Sequence, residues 1–128
     1  MVVTMTSDFW ESVVNDDRVV SSPNWMIVDH ALSQLDGTIY TLVTFDDDRG
    51  STLFVGGSSK GVVIAWSQGD HHLIARRGEG LTKILVTVGG QAGDYASRNV
   101  IPIDVAKYIT KGYFDGLNIK DLAEWEHS

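Results

Sequence analysis

The chain has 128 residues, 43% of them hydrophobic and 21% charged, which is typical of one folded domain and excludes a disordered chain. Its 17 acidic and 10 basic residues give a formal net charge of -7, which disfavours direct binding to nucleic acid or anionic membranes and favours cationic partners. The lack of cysteine excludes disulfide bonds, thiol catalysis and thiolate metal sites. We expect a single domain spanning residues 1-128.

The apolar stretches of the chain are short. Met1 to Thr6 has neither a basic leader nor a long hydrophobic region, so it is unlike a signal peptide. No apolar run approaches the roughly 20 residues needed to cross a bilayer. Together with the absence of cysteine, these features favour a cytoplasmic protein.

The first signals of secondary structure are a weakly patterned segment and a helix. Before Val20, the residues Phe9 to Val14 fit a short amphipathic turn and Arg18 to Val20 fit a brief strand. Ser22-Pro23 is a favourable helix start, and Asp36-Gly37 ends the helical pattern. The apolar residues between these two signals recur at helical spacing: Trp25, Val28, Ala31, Leu32 and Leu35.

Strand-like runs then alternate with short turn sequences. The turns are Asp46 to Gly50, Gly57 to Lys60 and Gln68 to Asp70, whose Asp, Gly and Ser residues accommodate tight reversals. Because connections this short require antiparallel neighbours, the runs predict a meander. The predicted strands are Thr38 to Phe45, Thr52 to Gly56, Gly61 to Trp66 and His72 to Ala75.

Three further segments follow the meander. Leu81 to Val88 is predicted to be another strand, with Ile84, Val86 and Val88 on one face and Leu85 and Thr87 on the other. Gly89 to Asp94 is predicted to be a flexible loop because it contains three glycines. Arg98 to Ile101 is predicted to be a short strand.

The second predicted helix has clear boundaries. Pro102 fits just ahead of a helix because its ring fixes φ, and Asp104 is expected to accept a hydrogen bond from the first turn. Gly116 is a natural C-terminal stop. Gly112 weakens the helix by about 1 kcal/mol, so we expect tertiary packing to hold that turn. The final residues Ile119 to Glu126 fit either a strand or a short helix.

These elements predict an α+β fold. The expected architecture is a mainly antiparallel, twisted β-sheet meander with an N-terminal-half helix and a C-terminal helix packed on one face. No internal repeat, linker or change of composition divides the chain.

Several motifs resemble one known family. They are the closing segment Val100 to Glu126, the Ser21-Ser22-Pro23 helix start, Gly50-Ser51-x-Leu53-x-Val55-Gly56 and a hydrophobic strand ending in Trp66. Over roughly Arg18 to Trp125, the chain resembles the first-numbered immunity-protein family of bacterial polymorphic-toxin and contact-dependent inhibition systems. Members of that family are small soluble proteins encoded beside a toxin, which is often a nucleic-acid deaminase.

The resemblance implies a scaffold more than a binding site. The chain departs from the family pattern at Lys107-Tyr108 and at Asn118-Ile119, where a proline is common, and this leaves the terminal geometry open. The positions that match the pattern are expected to maintain the fold: Pro102, Ala106, Phe114, Gly116 and Trp125.

Signals for catalysis are weak. His71 and His72 follow Asp70, but adjacent residues of a strand point to opposite faces, so the two imidazoles do not easily converge on one ion. Asp46-Asp47-Asp48 lacks the spacing of a calcium loop. We therefore expect no metal, no cofactor and no active site. A small enzyme using Asp70, His71 and His72 remains the alternative, as does a non-catalytic carrier or subunit.

The residues and the resemblance together favour an immunity protein, monomeric when free, that occludes the active cleft of a cognate toxin domain. The resemblance implies a deaminase toxin more than a nuclease. An acidic inhibitor of a cationic toxin gains association rate and specificity from complementary charge. Its candidate contact residues are the carboxylates expected on turns: Asp46, Asp47, Asp48, Asp70, Glu79 and Asp94.

Overall fold

The computed structural model describes residues 1–128 and has two helices and eleven strands. The helices are α1 (Trp25–Ser33) and α2 (Ile103–Phe114). The strands are β1 (Val2–Ser7), β2 (Trp10–Glu11), β3 (Val14–Asn15), β4 (Arg18–Ser21), β5 (Leu42–Asp47), β6 (Ser51–Ser58), β7 (Gly61–Gln68), β8 (His71–Arg76), β9 (Lys83–Val88), β10 (Gln91–Ala96) and β11 (Glu124–His127).

Seven strands form one sheet in the order β11-β8-β7-β6-β5-β1-β4, and every neighbouring pair is antiparallel. The predicted meander is its centre, β5 to β8. Strands β9 and β10 form a separate hairpin, and β2 and β3 form a second, shorter one. The α+β fold class is therefore confirmed.

The two helices cover one face of this sheet and run antiparallel to each other. Trp25 at the start of α1 lies against Phe114 at the end of α2, with 5.9 Å between the ring centroids. Farther along, Lys107 bridges to Asp29 at 3.0 Å. The core between helices and sheet is apolar, and its largest fully buried side chains include Phe45, Leu32, Leu35, Leu53, Ile64, Ile101 and Ile109.

The helix boundaries follow from local chemistry, with one exception. Asn24 caps α1 by accepting the Ile27 N–H at 2.9 Å. Asp104 was expected to cap α2, but no side-chain cap forms there, because Asp104 already lies inside the first turn, where only its charge favours the helix N-terminus. Gly116 has φ of +83° and ends α2 in a Schellman arrangement, in which the Leu117 N–H donates to the Gly112 carbonyl at 2.9 Å.

Packing explains the glycine within α2. A Cβ at Gly112 would lie 2.4 Å from Leu122 Cδ2, so the glycine admits the Leu122 side chain against the helix. The expectation that tertiary packing holds this turn is confirmed. The segment after α2 contains both of the structures left open by the sequence: Ile119–Asp121 is a 3-10 turn, and β11 follows it as an edge strand.

The prediction of a flexible loop at Gly89 to Asp94 is wrong. Gly89 and Gly90 have φ of +62° and +79°, the two positive values of a two-residue hairpin turn, and the chain continues as β10, paired with β9 through all six of its residues. The glycines therefore turn the chain tightly instead of loosening it.

The β9–β10 hairpin packs across the sheet face opposite the helices. A Cβ at Gly56 of β6 would lie 2.5 Å from Val88 Cγ1, so β6 and β9 approach more closely than a side chain would permit. Val63 and Val86 are buried but lie outside the main core cluster. They form a second, smaller apolar layer under the hairpin.

Two other expectations need correction. Arg98 to Ile101 is not a strand: Ser97–Asn99 is a 3-10 turn, and only Ile101 makes a bridge, to Val62 of β7. Phe9 to Val14 is not an amphipathic turn but belongs to the β2–β3 hairpin. The short Arg18 to Val20 strand is confirmed as β4. Each error concerns a segment of two to six residues, which is too short to give a reliable periodic signal.

The buried carboxylate of Asp8 joins three parts of the fold. Its Oδ1 accepts the backbone N–H groups of Thr41 at 2.7 Å and Leu42 at 2.9 Å. Its Oδ2 accepts the Trp10 indole N–H at 2.7 Å and the Thr41 hydroxyl. The Thr41 hydroxyl in turn accepts the Gly90 N–H at 2.9 Å. The end of β1, the start of β5 and the tip of the β9–β10 hairpin thus meet at one side chain.

Asp8→Ala should lower the free energy of unfolding by about 3 kcal/mol, because it leaves four donors without their acceptor in a buried site. Asp8→Asn should show an intermediate loss, since it retains one acceptor oxygen. Urea unfolding followed by tryptophan fluorescence measures both. The exposed Asp70→Ala is the matched control and should change stability by no more than about 0.5 kcal/mol. Equal midpoints for Asp8→Ala and Asp70→Ala would contradict the role assigned to Asp8.

Candidate functional site

The six candidate carboxylates do not form one patch. The turn between β5 and β6 and the turn between β7 and β8 lie at the same end of the sheet, so Asp46, Asp47, Asp48 and Asp70 are brought together there. We call this end, made of residues 46–51 and 68–71, the acidic end. Glu79 lies beyond the opposite end of β8, and Asp94 lies on the separate β9–β10 hairpin.

Asp47 is committed to its own turn. Its carboxylate accepts the backbone N–H groups of Arg49 at 2.9 Å and Ser51 at 2.8 Å, and the Ser51 hydroxyl at 2.7 Å. Partial burial raises the pKa of Asp47, but the Ser51 hydrogen bonds and the nearby Arg49 charge outweigh it, so the net pKa is lowered. This carboxylate is expected to hold the turn, with little capacity left for a partner.

The same serine connects the turn to α2. The hydroxyls of Ser51 and Tyr113 are 2.9 Å apart, and both residues are buried. Burial raises the pKa of Tyr113 to about 12, so its hydroxyl stays protonated at neutral pH. The Asp47–Ser51–Tyr113 chain therefore fastens the end of α2 to the acidic end of the sheet. Neither hydroxyl is prepared to act as a nucleophile.

The other three carboxylates of the acidic end differ in the contacts that they make inside the chain, and so in how available they are to a partner. Asp46 was expected on a turn, but it lies within β5 opposite Thr52 and accepts the Thr52 hydroxyl at 2.9 Å. Asp48 accepts the amino group of Met1 at 2.8 Å, and this hydrogen bond and charge lower its pKa. Asp70 is exposed on its turn and makes neither kind of contact. Asp70 is thus the carboxylate of this end that is most available to a partner.

Glu79 and Asp94 lie in different settings. Glu79 forms an ion pair with Arg76, so part of its charge is neutralised locally. Asp94 was expected on a turn, but it lies in the middle of β10 opposite Leu85. It points away from the sheet, because the inward face of the hairpin is the one that carries Val86 and Gly93.

A cleft of about 350 Å³ lies beside the acidic end. It is bounded by the β5–β6 turn, by Trp66 and Gln68 of β7 and by the residues that follow α2. Arg49 and Lys120 bring two cations to its lining, whereas Asp47 and the Tyr113 hydroxyl already have partners inside the chain. The cleft can admit a polar side chain of a partner, and it contains no free acid–base pair.

The two adjacent histidines point to opposite faces of the sheet. His71 pairs with Gln68 and His72 with Ser67, and both imidazoles are exposed. No group of three or more His, Cys, Asp or Glu side chains is arranged to hold a metal ion. Asp70, His71 and His72 therefore form an exposed turn whose side chains do not converge.

Sequence reasoning missed one projecting element. Residues 9–17, which contain the β2–β3 hairpin and which we call the prong, follow β1 at the end of the sheet opposite the acidic end. The turn of the prong is Ser12-Val13, with a φ of +59° at Ser12. The Val13 side chain is 87% exposed and that of Val14 is 64% exposed. Strands of two residues are too short to give a periodic signal, so only the turn geometry reveals the element.

At the C-terminal edge of the sheet, Glu126 holds β11 in place. It accepts the Asn99 amide at 2.7 Å and the Arg98 guanidinium at 3.1 Å, and these contacts lower its pKa. The Trp125 indole donates to the Ile119 carbonyl at 2.8 Å. The closing segment thus has a structural role.

No protein-family model, curated protein or solved structure matches this chain. Neither α1 nor α2 has the length and apolar character that crossing a bilayer would require.

The lowered pKa of Asp47 predicts how stability depends on pH. Its contribution should be complete above about pH 4, the ordinary pKa of an aspartate in the unfolded chain, and lost as the pH falls through the lower folded value. Asp47→Asn should therefore reduce stability at neutral pH and flatten the loss of stability between about pH 5 and pH 3. Urea midpoints measured across this range test it. Asp70→Asn is the control, because it replaces an exposed carboxylate of the same end of the sheet; identical slopes for both variants would show that Asp47 does not hold the turn.

Proposed function

We propose that this chain is an immunity protein that binds a cognate bacterial toxin domain and neutralises it. The observation that carries the proposal is the display of free carboxylates on short, hydrogen-bonded turns at both ends of one sheet, in a chain of net charge -7. Asp70 lies at one end, and Glu11 and Asp16 are exposed on the prong at the other. Such a surface suits a cationic macromolecular partner.

The mechanism proposed is stoichiometric occlusion. A toxin domain that acts on nucleic acid needs a cationic surface to bind its substrate. An acidic protein that buries about 1,600 Å² of total surface against that region would keep the substrate out. Complementary charge would also speed the encounter, and this matters for an inhibitor that must capture a toxin before it acts.

The sequence resemblance supports the choice of a deaminase toxin in preference to a nuclease. The matching positions have structural explanations, since Gly116 ends α2 and Trp125 is hydrogen-bonded to Ile119. They are consequently expected to maintain the fold and do not identify the partner-binding residues, which we place on the turns.

The proposal predicts that a toxin is encoded directly upstream, and that protein is the probe used to test it. We expect its purified C-terminal domain to form a complex with the chain at one copy of each, as measured by native mass spectrometry, and to lose its toxicity when the two are co-expressed. Association should slow as salt is raised from about 50 to 500 mM, because the attraction is electrostatic. Absence of a complex, or toxicity that persists with the complex formed, would refute the proposal.

One variant distinguishes the enzyme alternative from the proposed binding function. Asp70→Ala/His71→Ala/His72→Ala removes every group of the proposed catalytic set. Full protection by this variant, with the complex retained, would exclude a catalytic role for these residues. Loss of protection with the complex retained would favour the enzyme. The carrier alternative predicts a bound small molecule or self-association, which the native mass of the free chain detects.

A further inference from the structure

The prong presents apolar side chains that the fold does not use. Val13 occupies the tip of the hairpin turn and Val14 follows it at the start of β3, and both are mostly exposed. Large apolar side chains held in water at the tip of a tight turn contribute nothing to the core. They are available for burial against a partner, where apolar side chains form the centre of an interface.

The base of the prong is firmly held. The Trp10 N–H donates to the Ile39 carbonyl at 2.9 Å, and the Trp10 indole donates to buried Asp8 at 2.7 Å. Gly90 lies so close to the Trp10 ring that a Cβ there would be 2.2 Å from it. The tip is therefore carried on a base fixed by the β1 end, the 36–40 loop and the β9–β10 hairpin.

The two arms of the prong are also tied to each other. The Phe9 N–H donates to Asn15 Oδ1 at 3.0 Å, and the Asp16 N–H donates to the Phe9 carbonyl at 2.8 Å. The Phe9 ring contacts Tyr40 with a centroid distance of 5.5 Å. A projecting element ordered before binding loses little conformational entropy on binding.

Charge around the tip selects the partner. Glu11 and Asp16 are exposed on either side of the valines, and neither takes part in an ion pair of the chain. The one cation nearby, Arg18, lies 4.1 Å from the centre of the Phe9 ring at the base. The tip is thus apolar with an anionic rim.

Building on the toxin-binding function proposed above, we infer that the prong is the element that enters the toxin, with Val13 and Val14 against an apolar floor and Glu11 and Asp16 against cationic walls. The site that receives the prong is the nucleic-acid-binding cleft of the toxin domain. A cleft that binds phosphates and bases offers cationic walls and apolar surfaces together. The acidic end, on the far side of the sheet, is the rival surface.

The test uses the C-terminal domain of the protein encoded directly upstream and measures association and dissociation rates separately. Val13→Ser/Val14→Ser should weaken the complex about tenfold or more, mostly through faster dissociation. Met26→Ser is the matched control, because Met26 is 81% exposed on α1 and away from the prong; it should change affinity less than about twofold.

The second part of the test reverses the charge of the two rim residues. Glu11→Lys/Asp16→Lys should slow association about tenfold at low salt, and the effect should shrink at high salt. Asp70→Lys at the acidic end should change the rate much less. If Asp70→Lys slows association and the prong variants do not, the acidic end is the contact surface and the inference is overturned.

A labelled cysteine gives a second readout that requires no loss of affinity. The chain has no native cysteine, so Val13→Cys and Met26→Cys each provide one site for an environment-sensitive dye. On adding the toxin domain, the dye at position 13 should shift to the blue and become inaccessible to a quencher, and the dye at position 26 should not. A complex that leaves both dyes unchanged would overturn the inference while the proposed function stands; no complex at all would overturn both.

Discussion

The arrangement of this protein depends on one buried carboxylate. Asp8 accepts four hydrogen bonds from Thr41, Leu42 and Trp10. The Thr41 hydroxyl in turn accepts a hydrogen bond from the Gly90 N–H. A buried carboxylate with fewer partners would be costly, so the surrounding donors must stay in place for the site to exist. The requirement aligns the end of β1, the start of β5 and the β9–β10 hairpin, and it sets the base from which the prong projects.

The two faces of the sheet are covered in different ways, and glycine makes the second way possible. One face carries α1 and α2 over a continuous apolar core. The other receives the β9–β10 hairpin, whose Val88 lies where a Cβ of Gly56 would be. Within residues 50–56, Gly56 therefore admits a second layer, Leu53 and Val55 face the core, and Ser51 fastens the turn to Tyr113. These residues all have structural roles.

Sequence patterns predicted the elements whose signal is local and continuous. The helix from Trp25, the helix after Pro102 and strands β5 to β8 all carry several periodic residues between clear turn signals. The errors fall in segments that are very short or rich in glycine, where the local pattern does not show whether a strand forms. Gly89 to Asp94 contains three glycines, yet it turns tightly and pairs with the adjacent strand β9, and the strands of the prong are only two residues long. A different limit applied to the candidate site, because the sequence placed six carboxylates on turns without showing which ends of the sheet those turns occupy.

Net charge alone overstates the charge available for recognition. Asp8, Asp36, Asp47 and Glu126 each accept several hydrogen bonds inside the chain, so their carboxylates are partly screened from a partner by the donors they already hold. Fewer carboxylates are exposed and unengaged, among them Glu11 and Asp16 on the prong, Asp70 on its turn and Asp94 in β10. Free charge sets how fast a cationic partner arrives, but many acidic surfaces would share that property. Specificity requires shape and apolar contact beside the charge. The prong combines the three on one hydrogen-bonded element, whereas at the acidic end the most available carboxylate, Asp70, lies between Gly69 and His71, neither of which supplies an apolar side chain.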